Sequence, residues 1–209
     1  MTLCRSVAML VSLVLVPLTV AAAPPPEPTV EYSADSTMET EGGMTMKSRV
    51  YHTPTKQRME MGGADGSVTI IRKDKKVVWQ VMGDMYMEMP LDQSNAPDMG
   101  GFDIQEQTEV GEETVNGLKT TKTKIIATKP DGSKFGGFFW TTKEGVAVKM
   151  DLLSKDGDKK MRMASELTNV KIEKQNPALF EVPAGATKND MGAMMGQGGM
   201  PNMEEMMKN

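Results

Sequence analysis

Cysteine, histidine and aromatic residues are scarce in this chain of 209 residues: one Cys, one His, and only 5% aromatic residues. The single cysteine, Cys4, lies upstream of an apolar run and goes with it if that run is a cleaved leader. The mature chain then has no disulfide, no thiolate zinc site and no thiol nucleophile. A lone His52 supplies no imidazole pair for a metal. It is also a poor start for acid-base chemistry, which most often recruits His; beside Pro54 at a strand end it reads as a surface residue. No Gly-x-Ser-x-Gly elbow, phosphate-cradling Gly-x-x-x-x-Gly-Lys, dinucleotide fingerprint or His-Glu-x-x-His is present. Glu112-Glu113 and Glu204-Glu205 are placed as solvated charge, not as an acid/base pair. These absences point to a protein that is not an enzyme and needs no cofactor.

What is present begins with an export signal. Met1 to Arg5 carries one positive charge, Val7 to Val20 is apolar, and Ala21-Ala22-Ala23 offers small residues for a signal peptidase. The run is shorter than a membrane span and contains Pro17. Residues 1–22 are therefore expected to be a cleavable signal peptide to the periplasm or beyond, leaving no stable membrane anchor. Loss of Arg5 leaves 23 of the 24 basic residues against 28 acidic ones, a net charge of about −5 that disfavours nucleic acid. Residues 23–28 form a Pro-rich leader, 29–188 one folded domain, and 189–209 a Met/Gly-rich disordered tail. A monomer is expected.

Turn signals recur through the folded part: Gly42-Gly43, Gly62-Gly63, Gly83-Asp84, Asn116-Gly117, Asp131-Gly132, Glu144-Gly145 and Asp156-Gly157. Between them, alternating or β-branched segments predict strands at 31–39, 44–51, 56–61, 68–72, 77–82, 85–89, 105–113, 118–128, 135–142, 146–153 and 160–174. About eleven strands joined by hairpins make a mainly β, antiparallel meander that must curl, with little helix.

Methionine is the abundant oddity. Twenty remain after the leader, and Met44/Met46, Met59/Met61, Met85/Met87/Met89 and Met161/Met163 stand two apart. Residues i and i+2 of a strand share a face. Three readings follow. The thioethers are core filler in a structural or interaction module; or, with Trp79, they line an open apolar site for flexible acyl chains; or they are soft ligands for Cu(I). The tail raises the copper question again through Met191, Met194, Met195, Met200, Met203, Met206 and Met207. Trp79 and Trp140 are otherwise expected in the core, each with its indole N–H bonded.

Several phrases in order resemble the LolA/LolB-like group of periplasmic proteins, nearest a branch known only as a domain of unknown function. They are Tyr32-Ser33-Ala34-Asp35, Tyr86-Met87-Glu88-Met89-Pro90, Asn116-Gly117-Leu118-Lys119-Thr120, Phe139-Trp140-Thr141-Thr142-Lys143-Glu144-Gly145, Leu167-Thr168-Asn169-Val170 and Leu179-Phe180-Glu181-Val182-Pro183-Ala184-Gly185. The resemblance implies an unclosed β-barrel whose concavity accepts an acyl chain, lipid or lipoprotein under a helical lid. Here the first strand follows the Pro-rich leader directly, which leaves no room for a long N-terminal lid helix. The Met/Gly tail has no counterpart in the lipoprotein carriers.

Overall fold

The computed structural model describes residues 27–62, 66–94, 103–128, 132–156 and 159–189. The signal peptide, most of the Pro-rich leader and the tail methionines lie outside the described residues. Twelve strands form one sheet: β1 (Tyr32–Thr40), β2 (Thr45–Thr53), β3 (Lys56–Met61), β4 (Val68–Arg72), β5 (Val77–Met82), β6 (Met85–Pro90), β7 (Asp103–Val115), β8 (Leu118–Thr128), β9 (Lys134–Thr141), β10 (Ala147–Asp156), β11 (Lys159–Ile172) and β12 (Thr187–Lys188). The order across the sheet is β12-β6-β5-β4-β3-β2-β1-β11-β10-β9-β8-β7, and the sheet does not close into a barrel. All eleven predicted strands are present with ends shifted by a few residues. The twelfth was not predicted.

Local chemistry explains the meander. Asn116 and Gly117 hold φ of 49° and 80°, the left-handed pair that a two-residue hairpin between β7 and β8 requires. The β1/β11 register shifts between Ser33 and Asp35, and Asn169, at φ 50°, donates from Nδ2 to an Asp35 carboxylate oxygen at 2.7 Å across that irregularity. Asp35 also accepts from Arg49 at 2.8 Å on β2, so it ties the neighbours on both sides of β1. Its carboxyl is held below the ordinary value, first by Asn169 and then by Arg49.

Register fixes which side chains share a face. Met163 pairs with Leu152 on one side and Thr40 on the other; Met38 pairs with Met46 and Ser165. Ser48 pairs with Met61 and Val50 with Met59; Met59 then leads through Thr69 and Gln80 to Met87. Val78 faces Met89, Met82 faces Met85, Met150 faces Phe139, and Met161 faces Ser154. All eleven methionines that lie in described strands therefore project from one face.

The other face is sealed at β4 and β5 by the C-terminal segment. A 3-10 turn, Pro177–Phe180, is capped by the Asn176 side chain, which accepts from the Ala178 N–H at 3.0 Å. It drives Phe180, 1% exposed, against Ile70, Trp79 and Val81. Arg72 clamps the segment down. Its guanidinium is bidentate to Asp74 at 2.8 and 2.7 Å, and it also donates to the Phe180 carbonyl at 3.1 Å and to Glu181. A second cluster contains Trp140, whose Nε1 donates to Glu113 at 2.6 Å, with the Lys122 and Lys149 ammonium groups 4.8 and 5.1 Å from its ring. Glu113 is thus engaged, not merely solvated, and Trp140 and Lys122 hold its carboxyl below the usual range.

The free edges differ. β12 covers part of β6 in parallel, pairing Thr187 with Met85 and Lys188 with Tyr86. β7 forms the opposite edge. It is mostly exposed, carries Asp103, Glu106, Glu109, Glu112 and Glu113, and shifts register twice against β8.

Candidate functional site

A cavity of about 960 Å³ opens on the methionine face at one end of the sheet. Its walls take Tyr32 from β1, His52 from β2, Gln57 from β3 and Ile71 from β4, then Phe139 and Thr141 from β9 and Ala147 and Met150 from β10. Those two groups of strands are separated by β11 in the sheet, yet side chains of the same face meet across one space. The sheet is therefore curled over the methionine face, which is its concave side. The size lies at the upper end of ordinary ligand pockets.

The far walls belong to loops. The strand ends flanking the β2–β3 turn give Thr53 and Lys56, the β4–β5 turn Lys73 and Lys76, and the 3-10 turn Leu91–Gln93 gives Leu91 and Asp92. Glu27 and Pro28 arrive from the N-terminal side, held by Thr29 N–H to Glu144 O at 3.0 Å. Gly145, at φ 87°, permits that approach: a Cβ there would lie 2.6 Å from the Glu27 carbonyl oxygen. Glu27 in turn accepts from the Lys73 ammonium at 2.8 and 2.9 Å.

His52 is buried, contrary to the surface position expected from sequence. Its ring stacks on Tyr32 with centroids 5.0 Å apart, and Nδ1 lies 3.3 Å from the Val30 carbonyl oxygen. Burial is the main influence on it and lowers its pKa, favouring neutral imidazole. Burial also pushes the Tyr32 phenol up to about 12, so it stays protonated. Among the described residues, no group of three or more His, Cys, Asp or Glu could hold a metal ion.

No methionine is buried among the described residues. Met44 and Met161 are each 63% exposed, Met82, Met85 and Met89 are also exposed, and Met46, Met59, Met61, Met87 and Met163 are half-buried. The packed core uses other residue types: Ile70, Ile125, Val78, Val146, Val148 and Phe180 are its largest fully buried side chains. Met59, Met150 and Met163 pack, half-buried, against the edge of that core. The structure brings the methionine pairs of β2, β3, β6 and β11 onto one surface, with Met44 just before β2. It does not bring Trp79 there. Trp79 pairs with Ile70 on the opposite face, packs under Phe180, and donates from Nε1 to Glu88 at 2.8 Å.

No family model matches the chain, and no curated protein matches it in sequence. Solved structures do match. MucB superposes with a TM-score of 0.50 at 12% identity, over 77% of this chain and 60% of that one. MucB in complex with MucA(peri) gives 0.48 at 15% identity, over 76% and 56%. The lipoprotein LppX of Mycobacterium tuberculosis gives 0.40 at 12% identity, over 69% and 88%. The chain shares the open, mainly β fold of MucB. It spans about 60% of the length of MucB, and at these identities the likeness is one of backbone.

Within that fold, no helix longer than a single 3-10 turn stands over the concavity among the described residues, and Leu91–Gln93 closes only one end. Sequence reasoning named the methionines but missed the loop residues of the cavity. Lysines in turns are usually solvated, so nothing in the local pattern marked them out.

Proposed function

We propose that this chain is an exported, monomeric binding protein that holds an acyl chain, lipid or lipidated protein against its concave face and performs no catalysis. The observation that carries this reading is the segregation of methionine: eleven on one face of a curled sheet, none of them buried. Soluble proteins rarely leave a contiguous apolar surface of this kind uncovered unless something docks on it. Thioether side chains are flexible and polarizable, so they mould to chains of differing length and unsaturation. Burying about ten methylenes there would contribute roughly 8 kcal/mol before the costs of association, enough for stable capture. The open cavity speaks against a structural module with a filled core. Export is supported by the signal-like residues 1–22.

Native mass spectrometry of the mature protein, purified from an envelope fraction and then offered myristate, tests the reading. Adduct masses matching lipids, or uptake of the fatty acid, support it. A clean protein mass in both conditions ends it.

A further inference from the structure

The concave face is polarised along its strands. At the cavity end, three ammonium groups stand on the rim: Lys56 at the start of β3, beside the β2–β3 turn, and Lys73 and Lys76 of the neighbouring β4–β5 turn. At the opposite end lie Met61, Met46, Met82 and Met85, beside the β1–β2, β3–β4 and β5–β6 connections. Lys56 to Met61 along β3 is five residues, roughly 17 Å of extended strand. One end of the groove is cationic, and the other is lined with thioethers.

Two of these three lysines are not explained by ion pairs among the described residues. Lys73 holds Glu27, but neither Lys56 nor Lys76 forms an ion pair among the described residues, although Lys56 is half-buried. The carboxylate nearest to Lys56 in sequence across the hairpin, Asp74, has both oxygens bonded to Arg72. Lys76 sits at φ 56°, a conformation that glycine or asparagine adopts more cheaply, so the turn tolerates backbone strain at a lysine. Asp92 and Glu27 are the carboxylates on the same rim, so three cations face two anions there in a chain whose net charge is −4. Lys73 and Lys76 are exposed, and half-buried Lys56 is the one cation at this mouth that a charged head group meets partly shielded from water.

We propose that the occupant is an anionic amphiphile, its carboxylate or phosphate head held by Lys56, Lys73 and Lys76 at the cavity mouth and its chain laid along the methionines. This rests on the acyl-binding reading above and adds charge selection and direction to it. The test compares three probes of one chain length, myristate, monomyristyl phosphate and myristyl alcohol, by competition against a fluorescent fatty acid. Wild type binds the two anions about tenfold or more tighter than the alcohol, and the margin narrows as salt rises. Tighter binding of the phosphate than of myristate assigns a phospholipid-like head, and the reverse assigns a free fatty acid. The double variant K56Q/K76G removes two charges, and glycine relieves the positive φ at residue 76; its thermal midpoint serves as the folding check. It loses most of the anion preference while its affinity for the alcohol is unchanged. Equal binding of alcohol and anions by wild type, or anion binding unmoved in K56Q/K76G, overturns charge selection but leaves acyl binding standing. Failure of all three probes to bind overturns both.

Discussion

Replacing Arg72 with Met tests how the C-terminal segment is held. The substitution keeps an apolar stem under Trp79 but removes a guanidinium whose side chain is only 4% exposed. Two carboxylates and one carbonyl lose their donor. Asp74, whose carboxyl is brought from 3.8 to about 2 chiefly by Arg72, is the clearest term. That depression corresponds to roughly 2–3 kcal/mol at full strength, and on the order of 1–2 kcal/mol once its partial exposure to solvent is allowed for. The Phe180 carbonyl, accepting from a charged donor in a buried setting, adds about 1–2 kcal/mol. The expected loss is about 3 kcal/mol at neutral pH, near the lower bound for breaking a buried pair. Urea unfolding followed by tryptophan fluorescence measures it. The sign of the pH dependence is fixed. Because the folded carboxyl is depressed, its contribution is present above pH 3.8 and disappears as pH falls toward 2. Wild type should therefore lose stability across that interval, and R72M should lose distinctly less. A loss below 1 kcal/mol at neutral pH, or the same acid slope in both proteins, would refute the clamp. Arg72 lies on the face away from the cavity side chains of β4, so uptake of myristate by folded R72M should be normal.

Three further outcomes follow from the same structure. Phe180→Ala removes a fully buried ring from Ile70, Trp79 and Val81 and should cost about 3–5 kcal/mol in denaturant unfolding, with proteolysis newly directed to residues 176–186. His52→Gln tests the buried imidazole: its lowered folded pKa makes wild-type stability decline as pH drops below about 6.5, and thermal midpoints between pH 7.5 and 5 should fall less in the variant. Met85→Ser with Met89→Ser alters two exposed thioethers, so stability should change by less than about 1 kcal/mol while myristate uptake weakens; unchanged uptake would place the acyl chain elsewhere.

The strands were legible because most hairpins carry their own chemical mark, the β2–β3 and β4–β5 turns being read only from the strands beside them. Asn116-Gly117 and Gly83 specify backbone that few other residues adopt, and the alternation between such marks leaves little freedom in strand limits. The common face of the methionines was legible within each strand by spacing; that four separate strands agree depended on register, which sequence alone does not supply. Trp79 could have been placed from the sequence. It stands three residues from Met82, an odd interval that puts the two on opposite faces of β5. β12 could not: two residues, Thr187 and Lys188, carry no periodicity, and their parallel pairing with β6 is a long-range event. His52 misled because Pro54 and a strand end suggest solvent, whereas the Tyr32 ring across β1 covers it. The cavity rim was illegible for a similar reason, since it is assembled from turns distant in sequence.

The long β7 edge bears on behaviour in a crowded compartment. An unpaired strand of 13 residues is a template on which another molecule could add its own strand. Here any two copies meeting edge to edge would bring Asp103, Glu109 and Glu112 of each, carboxylates without an ion pair among the described residues, against those of the other, on ribbons bent by two irregularities. Repulsion and poor fit work together to block fibre-like growth through the protein's own backbone.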